Sequence, residues 1–295
     1  MKKIRELLVE IRSNDIVLPE FQREYVWSRT QAKQLLVSLY KEYPVGGLLF
    51  WSTDHPPRLK NIDQLPDRLG TVQVLLDGQQ RLTTLHLLTT GDIPPYYTAE
   101  EIESDPRDLY FHLATGDLQY YMSSRMASDP MWRSVTDCFT DKRLNVMIIA
   151  DQTTADPQEK FELANRLNDN LNKLRSIQER VLPEQIVPQH ASLREAIDVF
   201  DRVNSQGTKL TDAELALTHV TGTWPDARRN MKVKIEECAR HNFRFGLTFL
   251  TRALTATVTG RALFETIHDR SRNELKDGWN PVSYTHLTLP TTPYV

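Results

Sequence analysis

Cysteine is almost absent: the 295 residues hold two, Cys138 and Cys238, far apart in the chain. That spacing excludes a paired-thiolate zinc site and a disulfide framework, and it points to a reducing, cytoplasmic compartment. No apolar run approaches the about eighteen residues that would mark a membrane span. The N-terminus MKKIRELLVEIRSND has its apolar positions interrupted by Arg5, Glu6, Glu10 and Arg12. It reads as an amphipathic helix rather than a signal peptide. The formal net charge is only −3. The chain is therefore no general polycation, and any contact with nucleic acid must come from a local patch. Familiar chemical signatures are missing as well. There is no GxxxxGKS/T loop, no GxGxxG after a strand and no HExxH, and the eight histidines are scattered. No internal repeat of about 20–50 residues is visible.

What is present is ordinary globular composition, 40% hydrophobic and 25% charged, in a chain long enough for one large domain or two. Ile4, Leu7, Leu8 and Ile11 have helical spacing, and residues 13–15 end that helix. Ser28 and Gln31 form a capping box for a helix over residues 29–42, with Ala32, Leu35, Leu36 and Leu39 inward. Residues 45–51 read as a strand entered through Gly46 and Gly47, and residues 54–70 as a polar loop. Val72-Gln73-Val74-Leu75-Leu76 is the clearest buried strand, and Leu82, Leu85 and Leu88 mark the next helix, which stops at Gly91. Residues 96–149 suggest short strands and helices, with 108–113 the best strand. After Asp156 the pattern is mainly helical, over about 160–180, 192–203, 212–221 and 231–253. Thr211 and Glu214 form a second capping box, with Leu210 and Leu215 at staple spacing.

Three constellations carry polar chemistry. The first is Asp77-Gly78-Gln79-Gln80-Arg81, between the buried strand and a helix. A helix start presents free N–H groups and a positive dipole end, which suits phosphate. Gly78 permits close approach, and Arg81 can bind phosphate in bidentate fashion. Gln79 and Gln80 can bond phosphate, base or water, while Asp77 can hold a divalent cation or position a water. A plain helix start, with Asp77 as the cap and Arg81 as a surface charge, explains the same residues. The second constellation is LPEFQREYVW, residues 18–27. Phe21 and Trp27 read as core anchors; Gln22 and Arg23 are harder to assign to packing alone. The third is FDRVNSQGTKL, residues 200–210, where a helix end and a turn explain much, and Arg202, Asn204 and Lys209 are left as possible ligand contacts. A basic run between residues 226 and 244 has six positive and three negative charges. It reads as a solvated helix face or as a backbone contact for nucleic acid.

Taken together, LPEFQREYVW, VLLDGQQRLTTL and VFDRVNSQGTKLTDAEL resemble, in order and spacing, the N-terminal domain of GmrSD-type modification-dependent restriction proteins. This is the ParB-like domain also found in phosphorothioate-sensing anti-phage systems. The resemblance covers about residues 5–220. It implies an α+β fold, with a ParB/sulfiredoxin-like N-terminal core followed by a mainly helical C-terminal half. It implies binding and hydrolysis of a nucleoside triphosphate with Mg²⁺, regulating an HNH-type nuclease domain or subunit that acts on modified phage DNA. By the motif match, Gln22, Arg23, Gly78, Arg81, Asn204 and Gly207 become nucleotide contacts. Asp77, Gln79, Gln80 and Arg81 become the catalytic group, with Asp77 as metal ligand. Tyr25, Arg228 and Arg229 are the DNA-contact candidates, and a homo-oligomer is allowed. A nucleotide-gated sensor without catalysis and a ParB-like nuclease are the alternatives.

The expected organisation is a nucleotide-handling domain over 1–222, a helical segment over 223–280 opening a further C-terminal region, and a tail over 281–295. That tail, PVSYTHLTLPTTPYV, has no Lys, Arg, Asp or Glu, and it is expected to be non-native.

Overall fold

A computed structural model describes residues 1–62, 70–141, 143–204, 212–267 and 269–284. Their backbone forms two compact units. One comprises Met1–Leu18, Arg23–Asp54 and Asn61–Ile186; the other comprises Pro19–Gln22, His55–Lys60 and the chain from Val187 onward. The fold is mixed α and β, with a helical C-terminal half.

The first unit begins with α1 (Ile4–Arg12), which buries Ile4, Leu7, Leu8 and Ile11 as their spacing requires. It ends at Asn14, whose φ of 57° lets the Asp15 N–H reach the Glu10 carbonyl at 2.8 Å. That is a Schellman-type stop made with asparagine. β1 (Ile16–Val17) follows, then α2 (Arg29–Tyr40) with the Ser28/Gln31 capping box formed in full. β2 (Leu48–Thr53) starts later than the glycines suggested; Gly46 and Gly47 precede the strand rather than belonging to it. β3 (Val72–Asp77) is central in the sheet, in the order β1-β3-β2-β7, with β7 at Glu184–Val187. It runs parallel to β1 and antiparallel to β2. A central strand has both faces covered, which is why Val74, Leu75 and Leu76 are consecutive and fully buried.

α3 (Gln79–Thr90) follows β3 after one residue, and ten of its twelve residues are buried. A helix surrounded on all sides must satisfy its polar side chains internally. Thr84 and Thr89 do so by donating to the carbonyls four residues back, Gln80 and Leu85, each at 2.7 Å. The unit continues with β4 (Leu109–His112), β5 (Leu118–Tyr120), α4 (Ser123–Met126) and β6 (Trp132–Ser134). β4 is the middle strand of this second sheet and falls where residues 108–113 predicted it. Then come α5 (Val135–Thr140), α6 (Val146–Thr153) and α7 (Pro157–Arg175). One apolar core runs from α1 through α3 to Leu182.

In the second unit α8 (Leu193–Asn204), α9 (Asp212–Thr223), α10 (Ala227–Arg240), α11 (Leu247–Thr259) and α12 (Arg272–Tyr284) follow. A separate core joins Leu217, Val220, Trp224, Met231, Leu254 and Trp279. The single helix expected over 231–253 is two helices. Asn242 takes φ 63°, and the Phe243 N–H closes on the Cys238 carbonyl at 2.9 Å, ending α10. Gly207 and the Thr211 capping box lie outside the described residues, as do residues 285–295 of the charge-free tail. The tail's first four residues continue α12, with Val282 buried.

Candidate functional site

The polar turn after β3 is built by backbone geometry first. Asp77 is the last residue of the strand, so it is not the helix cap. Gly78 occupies that position with φ 92°, a left-handed conformation, and any β-carbon there would collide with the Leu48 side chain. The chain therefore turns from strand to helix in one residue, and the first-turn N–H groups of α3 have no intrahelical acceptor.

Arg81, one turn into α3, folds back over this junction. Its guanidinium donates to the Asp77 carboxylate at 3.1 Å and to the Gly47 carbonyl. A β-carbon at Gly46 would stand 2.9 Å from Arg81 Nη1 and one at Gly78 3.2 Å from Nη2, so these two glycines leave space for the guanidinium, while Gly47 lies against the Pro183 backbone. Arg81 Nε is buried without a hydrogen-bond partner. The Asp77 side chain is 32% exposed and that of Arg81 21%, so the pair sits at the edge of the core and is open to a ligand.

The two glutamines diverge. Gln80 is consumed by the protein. Its Oε1 accepts from the N–H groups of Val26 and Trp27, at 2.9 and 3.1 Å, and its Nε2 donates to the Glu24 carbonyl at 2.8 Å. It fixes the segment of the second constellation that includes Tyr25. Gln79 is equally buried, but its Oε1 has no hydrogen-bond partner. A buried amide with an unmatched end is costly unless a water or ligand meets it.

Tyr25 is fully buried, and its hydroxyl lies 2.9 Å from Thr84 Oγ1. Thr84 spends its own proton on the Gln80 carbonyl, so Tyr25 is the donor. Burial pushes the Tyr25 phenol up to about 12. The sequence placed Tyr25 among the DNA contacts; a ring with no exposed surface reads no base, and it is a packing anchor instead. Arg23 is half-buried, and its carbonyl accepts the Tyr97 hydroxyl at 3.0 Å. Arg23, Tyr25 and residues 77–81 thus belong to the first unit, tied together through Gln80 and Thr84.

Gln22 and Asn204 belong to the second unit. Gln22 is buried, in a short turn closed by its N–H on the Pro19 carbonyl at 3.0 Å. Asn204 is the last residue of α8, and Gly207 lies outside the described residues. The basic run splits by role. Arg228 donates to the Phe21 carbonyl at 3.1 Å, and buried Lys234 pairs with Glu237 at 3.0 Å. Arg229, Arg240 and Arg244 are exposed. In the same turn, burial pushes the Glu20 carboxyl up, opposed by Arg58 at 2.9 Å.

Sequence reasoning missed Gly46 and Gly47 as part of the site. The signal was two adjacent glycines before an apolar strand, which is where a neighbouring side chain can lie on bare backbone. No helix among the described residues is long and apolar enough to cross a membrane.

An uncharacterized protein of Methanocaldococcus jannaschii is 29% identical over 93 residues, covering 28% of this chain and 16% of that protein. The chain thus spans a small part of that relative's length. The GmrSD restriction endonuclease N-terminal domain matches residues 4–221, which include all three motifs. A ParB-like core is consistent with that match. The chain belongs to the GmrSD restriction endonuclease N-terminal domain family, a family of restriction-system proteins.

Proposed function

We propose that the β3–α3 junction binds the phosphates of a nucleoside triphosphate with Mg²⁺ and hydrolyses it, as the regulatory step of a restriction system directed at modified DNA. The observation that supports this best is the Asp77–Arg81 pair, laid over glycine backbone at a helix start and only partly exposed. Mg²⁺ takes one or two carboxylates and completes its shell with water and phosphate oxygens. A partly open Asp77 carboxylate fits that demand. In the resting arrangement Asp77 and Arg81 neutralise each other. Asp77 would hold the cation and Arg81 would bind the phosphate oxygens, each giving up its bond to the other. Gln79 offers its unmatched amide to phosphate or to the attacking water, and O and N of that amide are interchangeable by a flip. Water adds to the γ-phosphorus, the bond to the β–γ bridging oxygen breaks, and the water's proton leaves with inorganic phosphate or solvent. Gln80 acts by holding residues 24–27. Gln22, Arg23, Asn204 and Gly207 enter as nucleotide contacts from the motif match alone. The nuclease is assigned to an HNH-type domain or subunit outside these motifs.

The test is phosphate release from ATP and GTP by the full chain with Mg²⁺, with and without DNA. The expected result is turnover abolished by Asp77→Ala combined with Arg81→Ala. Turnover equal in the wild type and this double variant would overturn the proposal. A second reading, a nucleotide-gated DNA binder without turnover, is favoured by the exposed Arg229, Arg240 and Arg244. It requires salt-dependent binding that these arginines control. Unchanged DNA affinity in the triple alanine variant would remove it.

A further inference from the structure

We infer that Asp198, Asp201 and His219 form a binding site for a divalent transition-metal ion in the second unit, independent of the nucleotide proposal. Asp198 and Asp201 stand three residues apart, on one face of α8. His219 comes from α9. One ligand atom from each residue lies within 4.8 Å of the other two. His219 Nε2 is 3.0 Å from Asp201 Oδ2. Two neighbouring ligands on one ion, with bonds of about 2.1 Å, stand about 3.0–3.4 Å apart, so this hydrogen-bonded pair needs only a small opening to reach ligand spacing.

A simple Asp–His pair explains Asp201 Oδ2 and nothing else. Asp201 Oδ1 is buried with no hydrogen-bond partner. An uncompensated carboxylate oxygen out of water is expensive. The carboxylate of Asp198 is held beside it, and among the described residues neither aspartate has an ion pair with Lys or Arg. Two carboxylates this close repel unless a cation lies between them. A cation meets all three demands together: it occupies the orphaned oxygen, neutralises the pair and takes the imidazole nitrogen.

The donor set selects the ion class. An imidazole with two carboxylates suits Zn²⁺ or Mn²⁺ better than Mg²⁺, which prefers oxygen and keeps its waters. Three protein ligands leave a coordination position for water or an anion. His219 also borders a cavity of about 400 Å³ with Ser192, Ile197, Gly222 and Arg270, which neither aspartate lines. The ion would tie α8, which carries the start of the third motif, to α9.

The experiment is calorimetric titration of the full, chelator-treated chain with Zn²⁺, Mn²⁺ and Mg²⁺ separately, paired with thermal unfolding. One equivalent of Zn²⁺ or Mn²⁺ should bind and raise Tm, with Mg²⁺ at least tenfold weaker. Asp201→Asn and His219→Gln should abolish binding. Asp198→Asn alters a half-buried residue on the helix face and so tests the site even if the other two variants fail to fold; it should weaken binding at least tenfold. Asp77→Asn should leave it unchanged, which separates this site from the nucleotide site. Absence of Zn²⁺ and Mn²⁺ binding, or full affinity in Asp198→Asn, overturns the inference.

Discussion

Gln80 Oε1 accepts the backbone N–H of Val26 at 2.9 Å, across 54 residues of sequence. That bond, with those to Trp27 and Glu24, makes one side chain the clasp between the second constellation and the first. Gln80→Leu keeps the volume and removes all three bonds, leaving two N–H groups and a carbonyl unmatched. We expect a loss of about 2–4 kcal/mol in urea unfolding. Gln80→Glu keeps the acceptor but sets a buried carboxylate oxygen against the Glu24 carbonyl, so it should be costly at neutral pH and less so once acid protonates the group and restores a donor; a pH-independent cost would count against the Glu24 bond.

The buried Tyr25–Thr84 bond predicts a smaller effect. Tyr25→Phe should cost about 1 kcal/mol, because it removes one net hydrogen bond and keeps the ring packed. Its combination with Thr84→Val should be non-additive in a double-mutant cycle. DNA affinity should be unchanged by Tyr25→Phe, and a large loss would restore Tyr25 as a contact.

Gly78→Ala is expected to be among the most damaging small substitutions. It places a β-carbon at φ 92° and against Leu48. A loss of about 2 kcal/mol or more should appear in denaturation, with nucleotide binding lost alongside. A variant as stable as wild type would mean the junction relaxes freely.

His86 predicts a pH dependence. Burial pushes its imidazole below the usual histidine value. Nδ1 faces the Asp92 carbonyl at 3.0 Å, and Nε2 is buried without a partner, so protonation would place an unmatched charge in the core. A folded pKa below the unfolded one means the contribution is complete above about pH 6.5 and is lost as pH falls through the folded value. Tm should therefore fall on acidification from neutral pH. His86→Asn, measured over the same range, should show a shallower slope.

Arg81→Lys tests the fork rather than the charge. Both bonds leave the one nitrogen Nη2, so the rest of the planar guanidinium is available to a phosphate, a division of roles that lysine's single ammonium lacks. Nucleotide turnover should fall at least tenfold with a smaller change in stability. Retained turnover would show that Arg81 supplies only charge.

Much of the first unit was legible in the sequence because its signals are local. The α2 capping box, the apolar face of α1 and the continuous apolar run of β3 each specify themselves within about ten residues. The α10–α11 break was missed because it depends on Asn242 adopting positive φ, which composition permits without requiring. For the site, the sequence located residues 77–81 but could not divide their roles. Gln79 and Gln80 are adjacent and identical in chemistry; only the position of residues 24–27 makes one a structural clasp and leaves the other unmatched.

By itself, the sequence determined the strand–glycine–helix junction, the family and the order of the three motifs. These follow from apolar periodicity, backbone sterics and linear pattern, which are properties of neighbours along the chain. Tertiary structure alone decided that Asp77 pairs with Arg81 over Gly46 and Gly47, that Tyr25 is sealed from solvent, and that His219 meets two aspartates of α8. Those are distance relations between residues remote in sequence. They are set when buried polar groups must find partners inside a packed core, and no local pattern encodes which partner is near.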